Sequence, residues 1–491
     1  MSAITESAAR TTFRLVGFLF LLELVSGIMQ GFYVPLIPDL VEHLGIRDAD
    51  FNWFEAAQLL LSALVVPILA KLGDMYGHKR ILLVSTVLTA GATWWLAFTT
   101  DFTSFLIAWA LQGFLVVWLP LEVALIFDRG RQSGTAASAT RRAAGFLVVA
   151  LELGAIIGAL AGGRIFAALG ESVTGTLIVP AIAVTLVFFA VLFGVPESEP
   201  LPNRSLDWLG FTLLSLSMLL ITSGLTFLRI NGPTALWVYG LMVIGLLVLI
   251  PFGRYELRQK DPAIDLRVLW QPTMWPIQLT AGLIGISLLG AQAPLSTFAG
   301  TDPANGYGLG LDASKISYLI GAYLVSLVVG AVLFPTLSKR LSPRITLIGA
   351  AFLVAIGYSL FLPFHDTALQ VFTNMIVAGI GAGALVGALP SAAAAAAPRG
   401  QTGVATALTN TTKTIGGSFA SAVFAIVLVA GVATTATATA SSLSGYLIVF
   451  SICGGGALVA AILLFLVPKA AFADAPVVPD AETIVASAPL E

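Results

Sequence analysis

Fourteen apolar runs of about 20 residues or more follow one another from residue 14 to residue 468, with little chain between them. A stretch of that length matches the hydrocarbon thickness of a bilayer, and lipid offers no partner to an unpaired backbone amide. Such a chain can bury itself only as a bundle of membrane-crossing helices. The runs fall at 14–38, 52–71, 80–100, 103–126, 142–167, 174–195, 206–228, 235–253, 272–298, 315–337, 344–364, 367–392, 402–430 and 444–468. Residue balance agrees: 58% of the chain is hydrophobic and 10% charged, where a soluble domain carries roughly 25% charged residues. The 48 glycines suit helices whose backbones approach closely in lipid.

Lysine and arginine are retained on the cytoplasmic side of a membrane protein. With the N-terminus inside, nineteen of the 24 basic residues fall in inner loops. Only Arg47, Arg164, Arg229 and Lys315 fall outside, and Lys413 lies within a run. A missed or added helix would scramble this alternation, so both termini are expected in the cytoplasm of a bacterial cell, the spans in its plasma (inner) membrane. The first run is full length and lacks a convincing small-residue cleavage site, so it reads as a retained helix.

Two polar stretches, 196–207 (PESEPLPNRSLD) and 254–267 (RYELRQKDPAIDLR), divide the spans into six, two and six. The expected organisation is an N-terminal six-helix bundle (1–200), two inserted helices with a cytoplasmic loop (201–268), a C-terminal six-helix bundle (269–469) and a disordered tail (470–491). The glycine-rich loop 299–314 is placed to cover an external mouth, and 431–443 reads as an outer loop. Two six-helix halves point to a transporter with its substrate site at their interface. The net charge of −2 gives no reason to expect nucleic acid. One cysteine, Cys453, excludes an intramolecular disulfide. His43, His78 and His365 sit in loops or at helix ends and form no metal or nucleophile constellation, so neither an enzyme nor a cofactor is expected.

Charges that interrupt the apolar runs mark where function should be sought, because an ionisable group at membrane depth costs about 2.5–3.5 kcal/mol on insertion scales. Glu23, Glu152 and Lys413 each stand alone inside a run, and Glu122 lies near the inner end of another. Glu23 and Glu152 are about nine and ten residues into their helices, roughly 14 Å deep at 1.5 Å per residue. Low dielectric disfavours a charged carboxylate, so proton binding there can alternate with substrate binding. Glu152 is the first choice for proton coupling, Glu23 the second and Glu122 the third. Glu122 is expected to pair with Arg129, Arg141 or Arg142, and Lys413 to snorkel inward or pair with a carboxylate. Gln30, Trp109, Trp118, Gln278, Gln292 and Asn410 are candidate cavity residues.

Between the second and third runs stands Ala70-Lys71-Leu72-Gly73-Asp74-Met75-Tyr76-Gly77-His78-Lys79-Arg80. It resembles the signature loop of the major facilitator superfamily, G-x-L-x-D-x-x-G-x-R/K-R/K, with its first glycine replaced by Ala70. The resemblance implies that Gly73, Asp74, Gly77, Lys79 and Arg80 form a conformational latch between the halves. Gly145, Gly154, Gly158, Ala159, Gly162 and Gly163 are similar to the family's antiporter motif G-x8-G-x3-G-P-x2-G-G, with Ala159 for proline. Their four-residue spacing puts Gly154, Gly158 and Gly162 on one face, expected to meet a helix of the other half. The run count and Lys413-Thr414-Ile415-Gly416-Gly417, similar to R-x-x-G-G, resemble the fourteen-helix drug:proton antiporter branch. Two departures stand out. Trp109 occupies the arginine position before Gln112-Gly113, and Ser26 stands where the branch carries an aspartate nine residues before Pro35; Glu23, one turn earlier, can substitute for it.

The reading is therefore an all-α integral membrane protein with a major-facilitator-type fold: two six-helix bundles plus two inserted helices, fourteen spans in all. The function expected from it is proton-coupled export of small amphipathic organic compounds, such as an antibiotic or dye, by a monomer that works in contact with membrane lipid. A lipid or glycolipid transporter, or a solute uptake carrier, fits the same fold. A non-transporting membrane scaffold or sensor is the reading of another class.

Overall fold

The computed structural model describes residues 2–132, 136–198, 205–232, 234–259, 262–397, 402–429 and 440–467, with side chains undescribed at 2–14, 127–132, 136–144 and 402–404. The expected tail at 470–491, most of the loop at 431–443 and the side chains of Arg129, Arg141 and Arg142 lie outside the described residues.

The described residues are helical almost throughout. In chain order the helices are α1 (Ser2–Phe32), α2 (Ile37–Leu44), α3 (Phe51–Tyr76), α4 (His78–Ala97), α5 (Phe102–Leu111), α6 (Trp118–Gln132), α7 (Ala136–Ala168), α8 (Val173–Gly194) and α9 (Trp208–Asn231). They continue as α10 (Leu236–Glu256), α11 (Leu266–Leu269), α12 (Trp275–Gly285), α13 (Gln292–Gly300), α14 (Ala313–Leu341), α15 (Pro343–Ser359), α16 (Ala368–Ala396), α17 (Thr402–Val427) and α18 (Leu443–Leu466). Side chains that accept a first-turn amide start many of them: Asp101, Ser172, Asp207, Asp312, Thr367 and Ser442 cap α5, α8, α9, α14, α16 and α18.

Twelve helical stretches among the described residues are long and apolar enough to cross a membrane, against the fourteen runs read from the sequence. Two expected spans fall short for identifiable reasons. The expected 344–364 becomes α15, whose 17 residues are below the length of a perpendicular span. The expected 402–430 becomes α17, 26 residues long but crowded with threonine, Asn410 and Lys413.

Helices α1 to α8 pack chiefly on one another, with α1 against α7 the tightest pair, and α12 to α18 form a second such group. The groups meet along two seams, α7 on α14 and α3 on α17, while α9 and α10 pair together and touch α3 and α17 from the side. Among the described residues, hydrogen bonds between the groups gather at the end opposite the basic loops. Ser296 donates to the Val34 carbonyl (2.6 Å), Ser418 to the Ala56 carbonyl (2.8 Å) and the Gly163 amide to Ser317 (3.2 Å). There too the Ser441 amide and the Tyr446 hydroxyl donate to Asp48. Thus the far end is the sealed one. Loop 301–311 folds over it, its Tyr307 hydroxyl donating to the Ser441 carbonyl; burial and the nearby Asp48 push the Tyr307 phenol up to about 12.

The two groups also echo each other locally. Gly77, between α3 and α4, has φ 103° and ψ 131°; Ser342, at the corresponding turn between α14 and α15, has φ 91° and ψ 148°. Glycine adopts that conformation without a Cβ clash, and Ser342 does so under strain.

Candidate functional site

The ionisable residues sort into two units. Glu23 is 1% exposed and Glu122 is 0% exposed. Among the described residues the Glu122 carboxyl has no hydrogen-bond partner, and the two carboxyls lie in electrostatic reach of each other, α1 packing on α6. Ser26, one turn on from Glu23, is buried beside it. The expected pairing of Glu122 with Arg129, Arg141 or Arg142 falls on side chains outside the described residues; among the described ones Glu122 is buried in the bundle, in electrostatic reach of Glu23.

Glu152 is half-buried on α7 and faces the second group of helices. Lys413 of α17 is in electrostatic reach of it across the seam, and the Tyr323 phenol of α14 is close to it as well. Glu23 and Glu152, expected at one level, are thus divided between a pair inside one bundle and a pair across the interface.

A short structural path joins the two. An added Cβ at Gly154 would lie 2.1 Å from the Leu24 carbonyl oxygen, at Gly158 2.3 Å from that of Ile28, and at Gly162 2.3 Å from that of Phe32. From the other side, Gly27 and Gly31 press on the Leu151 and Ala155 carbonyls at 1.9 and 2.1 Å by the same measure. The Gly154, Gly158 and Gly162 face therefore packs on α1 of its own bundle, a correction to the expected contact with the other half. Two close-packed glycine rows on one helix pair leave no width for side chains, and the neighbouring residues Glu23 and Glu152 flank that contact. Gly163 alone turns toward the other half, against Ala313 and Ser317, and Gly145 faces open space. Gly27 and Gly31 were not singled out from sequence, although their spacing of four carried the same signal.

The latch residues sit at the basic end. The Lys79 amide donates to Glu197 (3.0 Å), the Lys79 ammonium to the Leu192 carbonyl (2.9 Å), and Arg80 pairs with Glu197 at 3.6 Å. Glu197 also covers Gly77, and the Asp74 carboxylate meets His78 at 3.2 Å. In this conformation these contacts bind the loop to the end of α8 within its own bundle. Lys71 reaches the Pro262 carbonyl (3.1 Å), beside the inserted pair.

Of the cavity candidates, Asn410 and Lys413 line a cleft with Thr409 and apolar residues of α12 and α16, with room for about one water molecule. Gln30 is exposed and reaches Ser26 at 3.4 Å; Gln292 is half-buried and donates to the Leu288 carbonyl. The other three are packed, not open. Trp109 wedges between Tyr33, Phe51 and Phe105, with centroids 5.1, 5.1 and 5.6 Å away. Trp118 is fully buried and donates to Ser85 at 2.7 Å, and Gln278 bridges α12 to Ala405 and Thr409 of α17. The neighbouring Gln112 ties α1 to α4 through Tyr33 and Thr93. Sequence reading missed the buried carboxyls of Asp207 and Glu256 at the base of the inserted helices; they stand in polar stretches and break no apolar run.

Comparison with known proteins bears on this arrangement. The sequence model of the Major Facilitator Superfamily matches residues 19–421. The chain is 26% identical over 424 residues to the "Probable actinorhodin transporter" of Streptomyces coelicolor, covering 81% of this chain and 68% of that protein. It is 26% identical over 394 residues to the triacylglyceride transporter of Mycobacteroides abscessus, covering 76% and 74%. In fold it is similar to an auto-inhibited peptide transporter of the POT family, with TM-score 0.66 and 15% identity over 92% of this chain and 96% of that one.

Proposed function

The chain belongs to the Major Facilitator Superfamily, and from that premise we propose that this multi-pass membrane transporter is a proton-coupled exporter of amphipathic organic compounds. The observation that carries the coupling is the pair of carboxyls, Glu23 and Glu122, buried within electrostatic reach of each other in the first bundle. The cycle is a rocking of two bundles, fourteen spans in all, in a bacterial inner membrane with both termini cytoplasmic. In it the pair takes a proton from the far side and releases it to the basic side. Glu152 meets Lys413 across the moving seam, and the Gly73–Arg80 loop holds the basic end. Similarity to a transporter named for actinorhodin supports an amphipathic organic cargo. Similarity to a triacylglyceride transporter favours a lipid as the second reading.

Reconstituted vesicles separate these readings. A pH gradient should drive accumulation of an amphipathic dye by the wild type. Glu23→Gln and Glu122→Gln should lose that accumulation while keeping downhill exchange, and Glu152→Gln should slow both. Dye flux unchanged in all three variants would sink the carboxylate mechanism. Movement of labelled triacylglycerol with no movement of dye would replace the first reading with the second.

A further inference from the structure

The cleft beside Lys413 carries more chemistry than its size suggests. Its walls come from α12, α16 and α17 of the second bundle: Ile284, Leu385 and Leu389 make them apolar, Asn410 adds a carboxamide, and Lys413 is the charged residue that lines it. Pro390 interrupts α16 at the same place and leaves the Val386 carbonyl without its intrahelical donor, so this wall can bend. A cation at that depth needs an anion. The carboxylate in electrostatic reach of it is Glu152, and that belongs to the other bundle. Any rocking of the bundles therefore separates the ammonium from its partner while leaving it in the cleft.

We propose that the cleft is the head-group seat of the cargo site and that its ligand is an amphipath bearing an anionic group: a carboxylate, sulfonate or phosphate. The anion binds Lys413 as the seam opens and Glu152 moves away, and the apolar body lies against Ile284, Leu385 and Leu389. A cationic amphipath is repelled from the same seat. This assignment rests on the transporter reading and narrows its cargo class.

The test uses the full chain in nanodiscs of zwitterionic phosphatidylcholine, with empty-disc signal subtracted. Two fluorescent probes share an arylaminonaphthalene body: 8-anilinonaphthalene-1-sulfonate is anionic, and N-phenyl-1-naphthylamine is neutral. Lys413→Gln should weaken the sulfonate by roughly tenfold or more, the worth of a charge-assisted bond. It should leave the neutral probe within about twofold, Lys413→Arg should retain the sulfonate, and Leu389→Trp should weaken both. Equal sulfonate binding by wild type and Lys413→Gln overturns the proposal, as does an equal loss of both probes in Lys413→Gln.

Should Lys413→Gln fail to fold, the wild type decides alone. Decyl sulfate should displace the sulfonate probe and decyltrimethylammonium should not; the reverse order overturns the assignment. Adding phosphatidylglycerol distinguishes sources: displacement of the probe identifies an anionic lipid head group as ligand, and persistence a free acid. A protein that passes these tests yet moves nothing in vesicles refutes the transport cycle alone. One that moves neutral or cationic amphipaths without binding the sulfonate refutes this proposal alone.

Discussion

Gly163 and Gly158 lie five residues apart on α7, and the same added methyl should do different things at each. At Gly163 it would stand 2.2 Å from the Ala313 carbonyl oxygen, 2.4 Å from its carbon and 2.6 Å from Ser317 Oγ, all on the other bundle. Against an ordinary contact of 3.4 Å the closest approach is short by roughly 1.2 Å. Backbone cannot yield as a flexible side chain does, so the seam must open at the sealed end. Overpacking of this kind costs about 1–3 kcal/mol, a population shift of roughly 5- to 150-fold between two conformations. At Gly158 the clash is similar, 2.3 Å to the Ile28 carbonyl oxygen, but both partners belong to one bundle. There the cost falls on the folded state of both conformations. Spin labels at Ala168→Cys and Asp366→Cys, both exposed and on opposite bundles at this end, report the separation, and the buried Cys453 stays unlabelled. Gly163→Ala should lengthen the distance distribution with little loss of Tm. Gly158→Ala should lower Tm and leave the distances alone. Unchanged distances in a folded Gly163→Ala, or equal widening in both variants, would refute the assignment of Gly163 to the moving seam.

Three smaller perturbations follow from local geometry. Ser342→Gly removes a strained positive φ (91°) while sacrificing a cap bond of 3.4 Å, so thermal stability should rise by about 1 kcal/mol; a fall would show that the cap outweighs the strain. The Lys315 side chain and amide hold the Asp312 carboxyl below its ordinary value, so its contribution is present above about pH 4 and lost as pH falls through the depressed pKa. Asp312→Ala should therefore lower Tm at pH 7, typically by the ~1 kcal/mol of a helix cap, with the difference from wild type closing in strong acid. Arg229→Ala breaks the ion pair with Asp50 and the stack on Trp53, 6.0 Å from its ring, which together fix the far end of α9. Proteolysis near Gly232 should accelerate severalfold, and an unchanged cleavage rate would mean that α9 is held by lipid-facing packing alone.

Much of the architecture was legible because membrane helices obey a one-dimensional rule: apolar length and basic loops. The rule fails where a helix is sheltered by its neighbours. α17 carries Lys413, Asn410 and a run of threonines because it packs on α3, α12 and α16, so its polarity is supported by protein and its hydropathy is low. The candidate site was half legible for a related reason. An interrupted apolar run announces that Glu23, Glu122, Glu152 and Lys413 are special, but a rotation of one residue, 100° on an α-helix, decides which of them face each other. The turn at Gln112–Val117 is wound as a 3-10 helix, whose angle per residue differs from that of an α-helix, just before the helix that carries Glu122 into reach of Glu23. No spacing in the sequence encodes that angle.

The division of charges constrains how coupling can travel. The Glu23–Glu122 pair lies inside one bundle, so in the proposed cycle rigid-body rocking leaves its internal distance unchanged and alters only the side from which protons reach it. The Glu152–Lys413 pair spans the seam, so rocking changes its separation directly. In the proposed cycle a proton on the first pair biases the second through something both touch, and the α1–α7 contact is the element next to both. Its glycines press on the carbonyls of Leu24 and Leu151, the residues next to Glu23 and Glu152. Interlocked backbones transmit a shift that flexible side chains would absorb. Gly154→Ala, whose added Cβ would meet the Leu24 carbonyl at 2.1 Å, should therefore uncouple proton flux from cargo flux more than it lowers either one. Measured in the same vesicles, the cargo-to-proton ratio should fall severalfold while downhill exchange persists. A ratio that stays at the wild-type value, with Gly154→Ala folded, would place the coupling path elsewhere.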